Sequence, residues 1–239
     1  MGKRILLVQF RTDVSLAHEV ECVCSKLETK DVITLNPFVD EIPQNIQTVL
    51  QDVGLVILGG SGQFDISKQE EHVLTALNKV KPLIEYILVN DIPTLAICFG
   101  FQLVAYVAGA SVEAKPQNSE NGSVEVFLTK EGKEDKIFSN FPDSFFINAG
   151  HKDSVHNLPS TFTVLATNDT CQNQAYRHKN NVYGIQNHPE LTKEDVLHRY
   201  SLYPEYMKGK NIDEMAKLIT PTPQASKIFK YFEQVYLTN

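Results

Sequence analysis

A chain of 239 residues with 42% hydrophobic side chains has the apolar content to bury a sizeable core, as one large α/β domain or two small ones. Its formal net charge of -7, with no Lys/Arg run set against it, excludes nucleic acid and anionic membrane as expected partners and favours small molecules or proteins. Four cysteines, Cys22, Cys24, Cys98 and Cys171, do not make a disulfide framework in a chain of this size, so a reducing, cytoplasmic location is expected.

The N-terminus MGKRILLVQFRTD imitates a secretion signal, but its apolar run stops at Phe10 before Arg11 and Asp13 and lacks a small-residue cleavage site. Leu6 stands where myristoylation at Gly2 needs Ser or Thr, and no stretch has the length of a membrane span. Residues 4–8 (RILLV) read as a buried strand instead. A loop over 9–15 follows, with Asp13 or Ser15 placed to cap a helix over 16–27. Residues 31–35 (DVITL) form a second strand closed by Asn36–Pro37, which makes the opening a right-handed parallel crossover. Cys22 and Cys24 fall on different faces of the helix with no matching ligand pair nearby, and no metal is expected. The spacings of His18, His72, His156, His178 and His198 point to no metal site either.

Residues 55–58 (LVIL) are a continuous apolar strand that runs into Gly59, Gly60, Ser61 and Gly62. Glycines at the carboxyl end of a parallel strand let backbone approach a ligand, at the edge where open α/β sheets bind theirs. GGSGQFD lacks the lysine of a phosphate loop and the spacing of a dinucleotide fingerprint, so it reads as an oxyanion loop or a tight turn. Over 69–89, Val73, Leu77, Val80, Ile84 and Ile87 are spaced for one helical face, and Pro82 predicts two helices or a kink.

Residues 94–97 then form a short buried strand and 99–108 (FGFQLVAYVA) a packed helix, with Cys98 at the joint. Ala96 and Gly100, two residues to either side, leave room for a sharp strand-to-helix turn that exposes a nucleophile. The free N–H groups and partial positive charge of the following helix favour a thiolate there. Taken alone, Cys98 fits equally a nucleophile and a small buried hydrophobe.

From 111 to about 186 the texture changes to short β-like pieces (124–128, 145–148, 162–166, 182–185) between Gly, Pro, Asn and Asp signals. Antiparallel strands and hairpins are expected, some of them joining the edge of the main sheet. The last piece leads into Asn187, His188, Pro189 and Glu190, where the proline fixes the backbone between an imidazole and a carboxylate. A helix over 192–200, a stretch of undefined structure, a break at TPTP and a helix over 225–237 with a stripe of Ile228, Phe229, Phe232 and Val235 complete the chain. The expected fold is α/β: a doubly wound, mostly parallel sheet with helices on both faces, flavodoxin-like, plus a small antiparallel β region. Residues 1–200 are read as one domain and 201–239 as a helical extension packed on it.

A thiol on an elbow, a histidine to take its proton, a carboxylate to orient the histidine and backbone N–H groups for an oxyanion are what attack on a carboxamide requires. In that scheme Cys98 attacks, the N–H groups of Gly60 and Phe99 hold the oxyanion, His188 protonates the leaving ammonia, and Glu190 fixes the imidazole tautomer.

The stretches GGSGQFD, AICFGFQL and QNHPE, in this order, resemble the three motifs of class I (triad) glutamine amidotransferase domains, over roughly 3–200. AGHKDSV and NQAY are similar to the subgroup that includes the amidotransferase part of GMP synthetase. The resemblance implies a Cys98, His188, Glu190 triad and an oxyanion hole at Gly60 and Phe99. It also implies a substrate site at Gly59 and Gln102 with the backbone near Asp153, Ser154 and Val155, and no cofactor. Ala96 departs from the family's usual glycine and is still small enough for the elbow. His151 reads either as a contact to substrate or a partner or as a structural hydrogen-bonding residue, and Glu120 with Gly122 as positioning a loop near the site. No synthase domain follows, so ammonia is expected to pass to a separate synthase subunit or to no acceptor at all. The chain also resembles plant γ-glutamyl peptidases, which makes glutamine or a larger γ-glutamyl compound the expected partner. The rival of a different class is a non-catalytic binding module, against which the intact triad argues.

Overall fold

Residues 4–237 are described by a computed structural model; the Met1–Gly2 expectation lies outside them. The apolar runs pair in parallel. β1 (Arg4–Val8) lies between β2 (Val32–Leu35) and β3 (Val53–Leu58), with α1 (Ser15–Lys26) and the one-turn α2 (Ile46–Val49) in the connections. The long α3 (Glu71–Asn90) leads to β4 (Thr94–Ile97), and α4 (Phe99–Val107) follows after one residue. The later part contributes β5 (Ser111–Ala114), β6 (Glu120–Leu128), α5 (Lys130–Glu134), β7 (Ser144–His151), β8 (Asp153–His156), β9 (Phe162–Thr167), β10 (Ala175–His178) and β11 (Val182–Ile185). α6 (Lys193–Leu202), α7 (Ile212–Leu218) and α8 (Pro223–Tyr236) complete it.

One nine-stranded sheet runs in the order β2-β1-β3-β4-β11-β10-β9-β6-β7, parallel as far as β11 and antiparallel beyond, while β5 and β8 pair as a separate two-stranded ribbon. This is the α/β architecture expected, with the antiparallel hairpins extending the edge of the main sheet.

Side-chain alternation sorts the strand residues onto two faces. Ile5, Leu7, Leu55, Ile57, Leu95 and Ile97 pack on one side with Val23 of α1 and with Ile228, Phe229 and Phe232 of α8. Leu6, Val8, Val56, Leu58 and Ala96 pack on the other with α3 and α4. Both faces are covered, which is why these strands read as unbroken apolar runs rather than alternating ones. Gly100 sets how closely α4 approaches β3: a Cβ there would lie 2.5 Å from the Leu58 carbonyl oxygen.

Of the outcomes expected at Pro82, two separate helices is overturned, because α3 is continuous through it. The proline lies on the exposed side, where water can satisfy the carbonyl it leaves unpaired, while Val80, Leu83, Ile84 and Ile87 hold the buried side to the sheet. The stretch left undefined in the sequence contains a short 3-10 turn (Pro204–Met207) and then α7, whose Asn211 and Glu214 form a reciprocal capping box.

Because Phe232 is fully buried between α8 and the sheet, Phe232→Ala is expected to cost about 3–5 kcal/mol, read as a lower urea midpoint in one cooperative transition. A separate early transition for the C-terminal helices, with the main midpoint unchanged, would show that α8 is dispensable to the core.

Candidate active site

The register of the parallel strands brings the candidate residues together. Leu58 pairs with Val8 and with Ala96, and Gly184 pairs with Ala96, so β1, β3, β4 and β11 end at one edge. The segments that follow them carry Arg11, Gly59–Gly60, Cys98 and His188 with Glu190. The Cys98 N–H donates to Ile185 O at 2.8 Å, tying the elbow to the strand that leads to the histidine.

Cys98 has φ 48° and ψ -99°, a conformation rare for a residue with a side chain and costing about 1–3 kcal/mol. Strain of this kind persists where neighbours over-determine it, as β4 on one side and the close α4–β3 packing on the other do here. As the first helical residue, Phe99 has no intrahelical acceptor for its N–H. His188 is buried, and its Nδ1 lies 2.7 Å from Glu190 Oε1, so the Nδ1–H donates to the carboxylate. Burial works against an imidazolium, but the Glu190 charge and then Cys98 outweigh it and raise the His188 pKa to about 10. Burial likewise opposes the Glu190 carboxylate, and the His188 charge overcomes it, so the Glu190 pKa falls.

The oxyanion expectation needs a correction at Gly60. Its N–H donates to Glu19 Oε1 at 3.1 Å and so is not free above Cys98. Glu19, 1% exposed, also accepts from Gln9 Nε2 at 3.1 Å and faces Arg11 Nε at 3.1 Å. A buried carboxylate must find partners, and this one finds a backbone amide, a side-chain amide and a guanidinium. Burial also works against the Arg11 charge, but Glu19 outweighs it and the Arg11 pKa rises. Gly60 is close-packed for another reason: a Cβ would sit 2.6 Å from His188 Cε1. Both backbone groups of Gly59 are committed, its N–H to Val8 O and its carbonyl to the Gly100 N–H, so it ties the end of β1 to the first turn of α4.

Gln102 and Asp153 do meet. Gln102 Nε2 donates to Asp153 O at 3.0 Å and to Gln186 Oε1 at 3.3 Å. Ser154 and Val155 lie in β8, paired with Glu113 and Val112 of β5, and Val155 O accepts from Asn173 Nδ2. Glu120 Oε2 lies 3.1 Å from His151 Nε2, and His151 Nδ1 donates to Asp153 O at 2.9 Å, the carbonyl that Gln102 also meets.

Four neighbours of the site were not singled out from the sequence. Gln186, fully buried, points Nε2 at Cys98 Sγ at 3.7 Å, and its place in QNHPE was the only available clue. Glu19, Arg199 and Tyr206 arrive from α1, α6 and the 3-10 turn, far from any motif. Among the described residues, His18, Cys22 and Asp195 form a group able to hold a metal, with ligand atoms within 4.8 Å of one another. The His18–Asp195 contact spans two helices, a proximity no local spacing reveals. Without a metal the Cys22 thiol is pushed up to about 12 by burial and then by Asp195 and Glu190. Burial similarly takes Cys171 up to about 11 and raises Cys24.

A cysteine at a strand-to-helix turn on the edge of a parallel sheet, beside a histidine hydrogen-bonded to a carboxylate, is an arrangement that acyl-transfer enzymes of the triad type use. The glutamine amidotransferase class-I family model matches residues 20–200, and the chain belongs to that family. It is 37% identical over 149 residues to a glutamine-hydrolysing GMP synthase subunit of Methanocaldococcus jannaschii, covering 62% of this chain and 70% of that one. Its identity to the protein of the same name in Methanosphaera stadtmanae is 40% over 108 residues, 45% of this chain and 56% of that one. The fold is shared with a glutamine amidotransferase of Thermotoga maritima (TM-score 0.76, 22% identity, 100% of both chains). It is shared too with a glutamine amido transferase of Methylobacillus flagellatus (TM-score 0.73, 19% identity, 99% of this chain and 93% of that one). No helix among the described residues is long and apolar enough to cross a membrane.

The His188 pKa, raised from 6.5 to about 10, has a consequence for stability. The native state holds the proton more tightly than the unfolded chain, so the contribution is complete below pH 6.5 and is lost as pH rises through about 10. The melting temperature relative to His188→Gln is therefore expected to be greatest near pH 6 and to decline steadily towards pH 10. A difference that grows with pH would mean that the native imidazole is held neutral.

Proposed function

We propose that this chain hydrolyses the γ-carboxamide of glutamine through a thioester on Cys98, releasing glutamate and ammonia. The observation that carries the proposal is the buried His188–Glu190 pair at 2.7 Å beside a cysteine held at positive φ. With its proton on His188, the Cys98 sulfur attacks the carbonyl carbon of the γ-carboxamide to form a tetrahedral intermediate. Its oxyanion takes the Phe99 N–H; the Gly60 N–H joins only if that peptide turns away from Glu19. The C–N bond breaks as His188 returns the proton to nitrogen, and ammonia leaves. Water then gives a proton to His188 and attacks the thioester; the C–S bond breaks, and the proton returns to sulfur. Glu190 holds the imidazole in one tautomer throughout. Gln102, braced by Asp153 and Gln186, is assigned to the amino-acid end of the substrate together with backbone near Ser154.

On this reading residues 1–200 and the helical 201–239 work as one unit in the cytoplasm, where Cys98 stays reduced. The ammonia is consumed by a separate synthase subunit, in keeping with relatives named as glutamine-hydrolysing subunits of GMP synthase. A second reading, hydrolysis of larger γ-glutamyl amides, is favoured by a cavity bounded by His188, described below.

Purified protein should release glutamate from glutamine or a γ-glutamyl peptide, and Cys98→Ala should lose at least about 10³-fold in kcat. Glu190→Gln, which keeps the shape but not the charge, should lose about 10²–10⁴-fold. If a glutamine-mimicking electrophile fails to label Cys98 and no substrate is turned over, with or without cell extract, the proposal is wrong.

A further inference from the structure

Arg199 lies on α6 at 7% exposure, and its Nε, Nη1 and Nη2 all lack a hydrogen-bond partner among the described residues. A guanidinium carries five N–H donors and cannot shed its charge at ordinary pH, so leaving it dry and unpaired is costly. Burial is the first cause of its lowered pKa, and nearby Arg11 adds to it. Neither nearby carboxylate hydrogen-bonds to it. Glu19 holds Gly60, Gln9 and Arg11, and Glu190 Oε1 holds His188; Glu190 Oε2 has no hydrogen-bond partner of its own.

Arg199 and Arg11 both line a cavity of about 50 Å³ that is bounded by His188 and walled by the rings of Tyr200, Tyr203 and Tyr206. The tyrosine hydroxyls do not serve the arginines: Tyr200 donates to Asn121 Oδ1 and Tyr203 to Asp13 Oδ2. The space therefore has largely apolar walls, with the Arg199 guanidinium, the Glu19-paired Arg11 and the proposed general acid His188 among its lining. Its size suits a carboxylate group rather than a whole peptide.

We propose that this cavity is a binding site for a carboxylate, forked by Arg199 with Arg11 beside it. The carboxylate is either carried by the leaving amine of a γ-glutamyl substrate or belongs to a small free anion. On the proposed reaction the leaving amine takes its proton from His188, which lines the same cavity as the arginines, so the cavity is the space on the leaving-group side of that histidine. The leaving-group source rests on the reading of Cys98 given above and would make Arg199 a specificity residue.

The test compares γ-glutamylglycine, whose leaving group carries a carboxylate, with γ-glutamylmethylamide, which lacks one. The leaving-group source predicts kcat/KM at least about tenfold higher for the glycine compound. Arg199→Met should abolish that ratio, and Arg199→Lys, with the charge but not the fork, should keep part of it; circular dichroism checks that both fold. In parallel, formate is added to Cys98→Ala protein with and without Arg199→Met, and the melting temperature is followed. An Arg199-dependent stabilisation supports the site whatever its source. If the substrate ratio is near one while formate still stabilises, the site takes a free anion and the leaving-group assignment is overturned. A ratio unmoved in both variants, with no formate shift, overturns the site itself while leaving γ-glutamyl hydrolysis intact. If no γ-glutamyl compound is hydrolysed, the function proposed above fails and formate alone decides the site: a shift lost with Arg199 sustains it, and no shift overturns it.

Discussion

The shared height at which four parallel strands end is the constraint on which the rest of this molecule depends. Leu58 sits level with Val8 and Ala96, and Ala96 with Gly184, so the segments that leave β1, β3, β4 and β11 emerge side by side. A slip of one residue in any of these pairings would turn that strand's side chains to the opposite face and pull one segment out of the cluster. The two apolar layers hold the register, because alternate residues of each strand are committed to α1 and α8 on one face and to α3 and α4 on the other. The strained backbone at Cys98 and the buried charges around it are tolerated because they sit on this rigid edge.

Beneath the edge, Glu19 acts as a knot. One carboxylate group, nearly inaccessible to water, ties α1 to Arg11, Gln9 and the Gly60 peptide. The strand-to-loop junctions after β1 and β3 are thereby fixed to the same helix. An oxyanion formed above Cys98 would compete with Glu19 for one of these donors, so the electrostatics of the loop and of the elbow cannot be considered separately.

What could be read from the sequence was what is local or periodic. The apolar runs gave the strands, since strands covered on both faces lose their polar alternation. Ala96, Cys98 and Gly100 marked the elbow, and Pro189 between His188 and Glu190 marked a rigid presentation of two polar groups. Pro82 left two helices open because the sequence shows the missing N–H but not that the proline faces solvent along a firmly packed helix. Glu19, Arg199 and the His18–Asp195 contact were illegible for a different reason. Each is an ordinary surface-type residue on an amphipathic helix until the chain folds and buries it beside a partner far away in sequence. The Gly60 donor was judged from the presence of glycine, which gives freedom of approach but does not say where the N–H points.

The four sulfurs differ in a way that bears on oxidative chemistry. Peroxides and disulfides react with thiolates, and burial together with nearby carboxylates keeps Cys22 and Cys171 in the thiol form far above neutral pH. Cys24 is shifted the same way. Oxidants at neutral pH therefore meet little thiolate at Cys22, Cys24 or Cys171, three thiols that burial shields from disulfide exchange as well as from peroxide.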